Sequence, residues 1–115
     1  MTVGEIFTTQ KEVNETVLRI PVGDKPEYFM LAINGIIEEA SEAKQCDTRW
    51  KETSFKRKGY KYHLDQDKKK EELADVFLQL VNACLYSDIS ASELIDAVSE
   101  KIRKNVGRWL SGGHR

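Results

Sequence analysis

Two acidic clusters stand out in this chain because each repeats its carboxylates at the spacing of one helical turn. Residues 38–42 read EEASE and residues 71–75 read EELAD. Side chains three or four residues apart on a helix lie on the same face, so two facing helices of this kind would bring four or more carboxylates together. Such a group repels itself unless a hard divalent cation binds to it. The spacing therefore indicates a metal site built from two helices.

The position of each acid relative to the apolar stripes decides which acids matter. Glu38 or Glu71 taken alone has the ordinary interpretation of a solvated helix face. Glu39 and Glu72 differ because each borders an apolar stripe, where a carboxylate loses hydration and needs a partner. No Lys or Arg lies four residues from Glu39 to supply one. The predicted metal ligands are Glu39, Glu42, Glu72 and Asp75.

The ligand types narrow the choice of metal. Oxygen-only ligands favour Mg²⁺, with Mn²⁺ also acceptable. Di-iron bundles use Glu-x-x-His on facing helices, and neither acidic cluster has a histidine at that position. The two histidines, His63 and His114, lie in a predicted loop and a tail. A di-iron centre and a zinc site are both disfavoured for the same reason.

The first two helices are predicted from their start signals. Thr2-x-x-Glu5 is a capping-box pattern that begins the first helix, and residues 20–23 (IPVG) form the turn that ends it. The second helix restarts with Asp24 or Lys25 at its cap and proline in its first turn. It is predicted to run to about Lys44 and carries the first acidic cluster.

The third and fourth helices follow a segment without helical pattern. Residues 46–66 are predicted to be a basic, aromatic loop with a short helix near Trp50. The third helix runs from about Asp67 to about Ser87, and its wide apolar arc suggests packing on more than one neighbour. Ser90-x-x-Glu93 caps the fourth helix. The fourth helix is predicted to direct six apolar residues inward: Leu94, Ile95, Val98, Ile102, Val106 and Trp109.

These elements predict an all-α, four-to-five-helix bundle in one domain over residues 1–110, with a flexible tail at 111–115. A chain of 115 residues buries a limited core, so association with a second copy would help. The net charge of −1 does not favour nucleic-acid binding. No apolar run approaches membrane-spanning length and no secretory signal is visible, so a cytoplasmic protein without membrane partners is expected. Cys84 is predicted to be a core residue.

The paired motif EExxE and ExxD, separated by 29 residues, resembles that of the all-α nucleoside triphosphate pyrophosphohydrolases. This superfamily includes the MazG-like enzymes and the dimeric dUTPases. The resemblance extends over roughly residues 5–109. Residues 7–11 (FTTQK), the Trp50-Lys51 pair and the pattern Lys101-x-x-x-Asn105-x-x-Arg108 are similar to further family motifs. The lysine-rich linker is at the long end of the family pattern, which leaves the base preference open.

The resemblance implies hydrolysis of a (d)NTP to the (d)NMP and pyrophosphate, for nucleotide-pool housecleaning, with dUTP or another pyrimidine nucleotide as candidate substrate. It also implies a dimer or tetramer. Glu38, Glu39 and Glu42 are the expected catalytic residues, with Glu38 or Glu42 orienting the attacking water or accepting its proton. The expected substrate-binding residues are Lys101, Asn105, Arg108, Trp50, Lys51 and Gln10.

An interpretation from a different class stays open at this point. The chain could be a non-catalytic helical oligomerisation or regulatory module that keeps the fold without turnover. The presence of all four motif acids favours activity. The number of metal ions and the choice between dimer and tetramer are not determined by these patterns.

Overall fold

Our computed structural model describes residues 1–51 and 62–112, and most of these residues lie in four α-helices. The helices are α1 (Val3–Thr16), α2 (Pro26–Gln45), α3 (Gln66–Leu85) and α4 (Ala91–Leu110). Over these two ranges an isolated antiparallel bridge between Asp47 and Leu64 is the one β-type pairing. The all-α prediction is confirmed for this part of the chain. Residues 52–61 of the predicted basic loop and residues 113–115 of the predicted tail lie outside the described residues.

Both predicted capping boxes are present. The Thr2 hydroxyl accepts a hydrogen bond from the Glu5 backbone N–H at 3.1 Å, and the Glu5 carboxylate accepts one from the Thr2 N–H at 2.9 Å. Ser90 and Glu93 repeat the pattern at 3.1 and 2.9 Å at the start of α4. These reciprocal bonds satisfy donors that the first turn of a helix leaves unpaired.

The starts of α2 and α3 differ in how they are capped. Lys25 is the N-cap of α2 and makes no side-chain cap bond, and Pro26 occupies the first helical position as predicted. The Asp65 carboxylate caps α3 by accepting from the Lys68 N–H at 3.0 Å. Helix α3 therefore begins one residue before the predicted Asp67.

Helices α2 and α3 are an antiparallel pair joined at both ends, and they form the most extensive helix contact in the described structure. At one end the Asp65 N–H donates to the Cys46 carbonyl at 2.8 Å, and Thr48 N–H donates to the His63 carbonyl at 2.9 Å. At the other end Lys25 N–H donates to the Tyr86 carbonyl at 3.0 Å. The pairing places both acidic clusters toward the Cys46–Asp65 end.

The small core lies between α1 and the second half of α3. It consists of Phe7, Val81 and Cys84, so the predicted core position of Cys84 is confirmed. Partly buried apolar residues surround this cluster: Val3, Ile6, Leu85, Ala91 and Leu94. The first half of the α3 arc is less covered, since Leu73 and Phe77 stay exposed.

Of the six residues of α4 predicted to face inward, Leu94 packs against the core as predicted, whereas the other five are exposed in a single chain. Helix α4 contacts α1 through its first turn, and none of its residues is buried. Ile102 is 58% exposed and Trp109 is 63% exposed. The periodicity correctly identified one apolar face, but the described part of the chain offers no neighbour to cover it. None of the described helices is both long enough and apolar enough to cross a membrane.

Candidate metal centre

Carboxylates of α2 and α3 converge at the interface of the two helices. Glu39, Glu72 and Asp75 each offer one oxygen, and these three oxygens lie within 4.8 Å of one another. Glu72 is buried, Glu39 is half-buried and Asp75 is exposed. The trio therefore opens to solvent on the Asp75 side, and the convergence expected from the helical spacing is observed for these three acids.

The environment of Glu39 favours its protonated form. Burial raises the pKa of Glu39 to about 7, and the neighbouring carboxylates of Glu72, Glu42 and Asp75 add to the shift. Desolvation and nearby like charge both disfavour a carboxylate, so this direction is the expected one. Near neutral pH, Glu39 is thus poised between an acid that can donate a hydrogen bond and a carboxylate that can bind a cation.

Glu72 has the opposite tendency because it has a cationic partner. Lys68, one turn earlier on α3, places its Nζ 3.0 Å from Glu72 Oε1. This contact lowers the pKa of Glu72, and hydrogen bonds with Glu42 and Glu39 add to the effect. The Glu39–Glu72 contact joins two oxygens, so it is a hydrogen bond only when one of the two carries a proton. Glu39 is the group that carries it, because the two pKa values shift in opposite directions.

Two buried oxygens in the centre have no hydrogen-bond donor among the described residues. They are Glu39 Oε2 and Glu72 Oε2. A buried carboxylate oxygen without a donor or a cation is costly, and few occur in a native structure. Residues of this kind fit a hard divalent cation, because Mg²⁺ and Mn²⁺ take oxygen ligands and accept water in the positions left open. No histidine or cysteine belongs to the trio, so the donors do not suit a tetrahedral zinc site.

The remaining acids of the first cluster have different positions. Glu42 is exposed, yet it is close enough to interact with both Glu39 and Glu72. It therefore borders the trio and can add a ligand oxygen or accept a proton at its edge. Glu38 is exposed and is not part of the three-oxygen group.

Gln79 of α3 packs closely against Gly35 of α2. A Cβ at Gly35 would lie 2.7 Å from Gln79 Cδ and 2.9 Å from its Nε2. The Gln79 amide therefore fills the space beside Gly35. Gly35 and Gln79 lie one turn from Glu39 and Asp75 respectively, so their close packing limits the space between α2 and α3 next to the trio.

A row of amides connects Gln79 with α1. Gln10 Nε2 donates to Asn14 Oδ1 at 3.0 Å, Asn14 Nδ2 donates to Asn82 Oδ1 at 3.0 Å, and Asn82 Nδ2 donates to Gln79 Oε1 at 3.3 Å. Asn14 is 1% exposed. Gln10, one of the predicted substrate-binding residues, is thus held by Asn14 at one end of this row. The other three amides, Asn14, Asn82 and Gln79, line a cavity of about 200 Å³ together with Tyr28 and Tyr86.

Trp50 and Lys51 lie beyond the end of α2 and line a surface cleft together with Lys44. Lys44 Nζ and Lys51 Nζ are 5.4 and 5.8 Å from the centroid of the Trp50 ring, which is the geometry of cation–π contacts. Nearby, Asp47 accepts hydrogen bonds from Arg49 and from Lys69 Nζ at 2.8 Å each. A cleft of about 550 Å³ is lined by Ala43, Lys44, Asp47, Arg49, Trp50 and Lys69.

The predicted phosphate-binding residues Lys101, Asn105 and Arg108 lie on α4. Their positions are exposed or half-exposed, and no hydrogen bond or ion pair within the described ranges connects them with the acidic trio. A single chain therefore does not assemble these residues with the carboxylates.

Sequence reasoning missed Lys68, Asp47 and the amide row. The signal for Lys68 was available, because it precedes Glu72 by four residues and opposite charges at that spacing pair on a helix. The amide row had no sequence signal, since Asn14 and Asn82 are 68 residues apart. No family model matches this chain, and no curated protein or solved structure matches it either.

Proposed function

We propose that this chain is a Mg²⁺-dependent nucleoside triphosphate pyrophosphohydrolase that converts a (d)NTP to the (d)NMP and pyrophosphate. The observation that carries the proposal is the pair of buried oxygens without donors, Glu39 Oε2 and Glu72 Oε2, beside Asp75. The resemblance of the EExxE and ExxD motifs to the all-α pyrophosphohydrolases supports the same activity. A pyrimidine nucleotide such as dUTP is the first candidate substrate.

The roles of the residues follow from their positions. Glu39, Glu72 and Asp75, with Glu42 at the edge, would hold the cation. When bound, Mg²⁺ supplies charge neutralisation of the phosphates and acidifies a bound water. Glu42, or Glu38 beside it, would orient that water or accept its proton.

The basic and aromatic residues would bind the rest of the substrate. Lys51 lines a surface cleft together with Trp50 and Lys44, where it would contact a phosphate, and the Trp50 ring would stack on a base. Gln10, held in place by the amide row, would contribute to substrate binding. Lys101, Asn105 and Arg108 would contact pyrophosphate only if an α4 helix approaches the site, so we also propose that the protein acts as a dimer or tetramer.

A product assay tests the activity. The full chain is incubated with Mg²⁺ and a panel of ribo- and deoxynucleoside triphosphates, and pyrophosphate and orthophosphate are measured separately. Pyrophosphate as the first product supports the proposal. Orthophosphate as the first product contradicts the bond assignment. No turnover across the panel would favour the non-catalytic module.

A matched pair of variants tests the metal centre. Glu72→Gln removes a buried ligand at nearly constant shape, whereas Glu71→Gln changes the exposed neighbour in the same way. We expect Glu72→Gln to lose at least about a hundredfold in metal-dependent turnover, as expected when a metal ligand is removed. Glu71→Gln should stay close to wild type. Mn²⁺ binding to each variant is also measured by electron paramagnetic resonance, because this measurement does not require the correct nucleotide.

A further inference from the structure

Helix α4 carries a continuous apolar stripe that nothing in the described chain covers. The stripe consists of Ile95, Val98, Ile102, Val106 and Trp109, and their exposed fractions range from 43% to 63%. The successive spacings are three, four, four and three residues, which keep all five side chains on one face of a helix. Among the residues that the structure describes, α4 packs against the core through its first turn, by Ala91 and Leu94.

The stripe has the same spacing in both directions from Ile102. Val98 and Val106 lie four residues to either side of it, and Ile95 and Trp109 lie seven residues to either side. If a second α4 lies antiparallel with the twofold axis at Ile102, each apolar residue is level with an apolar residue of the other helix. Ile102 is then level with its own copy, and Ile95 is level with Trp109 of the partner subunit. A twofold interface of this kind is self-complementary and closes after two copies.

The charges of α4 distinguish an antiparallel from a parallel arrangement. The first half, residues 91–100, contains three acidic residues and no basic one, and the second half, residues 101–110, contains four basic residues and no acidic one. Glu100 and Arg103 pair within the helix at the junction of the halves. A parallel pair would place like-charged halves side by side, whereas an antiparallel pair places the acidic half of each helix beside the basic half of the other. The helix dipoles also oppose each other favourably in the antiparallel pair.

We propose that α4 is a homodimer interface in which two copies of the helix pack antiparallel, with the twofold axis at Ile102. An unrelated helix could cover the stripe, but only a second copy accounts for both the symmetric spacing and the reversal of charge. This dimer interface does not depend on the proposed enzymatic activity, because the apolar stripe of α4 and the acidic trio share no residue.

Site-specific cross-linking tests the orientation. Ile102→Cys, Ile95→Cys and Glu100→Cys are prepared separately and treated with a short bismaleimide; the native Cys46 and Cys84 are buried, and wild-type protein serves as the background control. Ile102→Cys should cross-link with its own copy efficiently. Ile95→Cys should not, since residues 95 of the two copies lie about 21 Å apart along an antiparallel pair. A mixture of Ile95→Cys and Trp109→Cys should cross-link, and Glu100→Cys, on the opposite face, should remain monomeric on a denaturing gel.

The oligomeric state gives a second readout. Wild type should show the mass of a dimer or a higher even assembly by light scattering. Ile102→Glu places two like charges at the twofold axis, so the dissociation constant of the dimer should rise at least about tenfold and the measured mass should shift toward the monomer, whereas Glu100→Gln should not have this effect. Circular dichroism checks that Ile102→Glu retains α1–α3.

Three outcomes overturn the proposal. A monomeric wild type removes the interface. Efficient self-cross-linking of Ile95→Cys shows a parallel pair, and a dimer in which no α4 cysteine cross-links uses another face. Mn²⁺ binding by Ile102→Glu is measured in parallel, so that failure of the dimer and failure of the metal centre are recognised separately.

Discussion

Glu39 of α2 and Glu72 of α3 present their carboxyl groups to each other across the helix interface and share a hydrogen bond when one of them is protonated. Each also keeps a buried oxygen without a donor among the described residues. Two carboxylates so placed are not both ionised at low cost unless a cation joins them. Proton binding and metal binding at this pair are therefore linked, and the linkage has a defined sign.

The pH dependence of metal binding follows from the raised pKa of Glu39. A cation must displace the proton that Glu39 holds with a pKa of about 7. The dissociation constant for Mg²⁺ should therefore decrease as the pH rises toward and through neutrality, by up to about tenfold per pH unit below the pKa of Glu39. Titration calorimetry in two buffers of different ionisation enthalpy measures the released protons. Binding that is independent of pH would contradict the linkage.

The stability of the metal-free protein should depend on pH in the opposite sense. The folded pKa of Glu39 lies above its ordinary value of 4.5. The folded state then holds a proton that the unfolded state has lost, so the free energy of unfolding falls between about pH 5 and about pH 8. Urea denaturation across this range checks the trend. Saturating Mg²⁺ and the Glu39→Gln variant should each remove it, and a wild-type protein without the trend would refute the assignment.

Lys68 should stabilise the protein mainly when no metal is bound. It is the described cation that pairs with the buried Glu72, at 3.0 Å. Lys68→Met leaves Glu72 without that partner, and an unpaired buried charge is destabilising. We expect the unfolding midpoint of the metal-free variant to lie several degrees below that of metal-free wild type. Mg²⁺ should raise the midpoint of the variant by more than it raises the midpoint of wild type. Lys68→Arg should behave like wild type, and Lys70→Met, at an exposed position, is the control. Equal Mg²⁺ shifts in Lys68→Met and wild type would exclude this role.

Asn14 should matter for stability rather than for metal binding. It is buried and joins Gln10 to Asn82 within the amide row. Asn14→Ala leaves those two amides without their partner, which should cost about 1–3 kcal/mol in the free energy of unfolding. Asn34→Ala on the exposed face of α2 is the matched control. Chemical denaturation followed by circular dichroism measures the difference, and a variant as stable as the control would show that the row contributes little.

Asp47 should stabilise the folded protein at neutral pH but not at strongly acidic pH. Arg49 and Lys69 hold the pKa of Asp47 well below its usual range. A lowered pKa contributes stability that is present above the unfolded pKa and is lost as the pH falls. Asp47→Asn should therefore have a lower unfolding midpoint than wild type at neutral pH, and the gap should narrow below about pH 4. Thermal melts over a pH series measure the gap; a constant gap would assign the effect to packing.

Local sequence signals determined the helices and their starts. Thr2 with Glu5 and Ser90 with Glu93 are three residues apart, so the capping boxes depend on one helical turn and not on the rest of the fold. Pro26 likewise fixes the start of α2 through its own backbone geometry. The acidic spacing of Glu39, Glu72 and Asp75 was readable for the same reason, since helical periodicity alone places side chains on a face.

Tertiary structure alone decided which faces meet. The antiparallel pairing of α2 with α3 brought Glu39 and Glu72 together and placed Gln79 against Gly35. The packing of α1 against α3 joined Asn14 to Asn82. Periodicity shows that a helix has an apolar face but does not say what covers it, which is why the sequence predicted Ile102 and Trp109 to face inward although both are exposed in one chain. Contacts between distant segments depend on how whole helices pack, and that information is not contained in any local pattern.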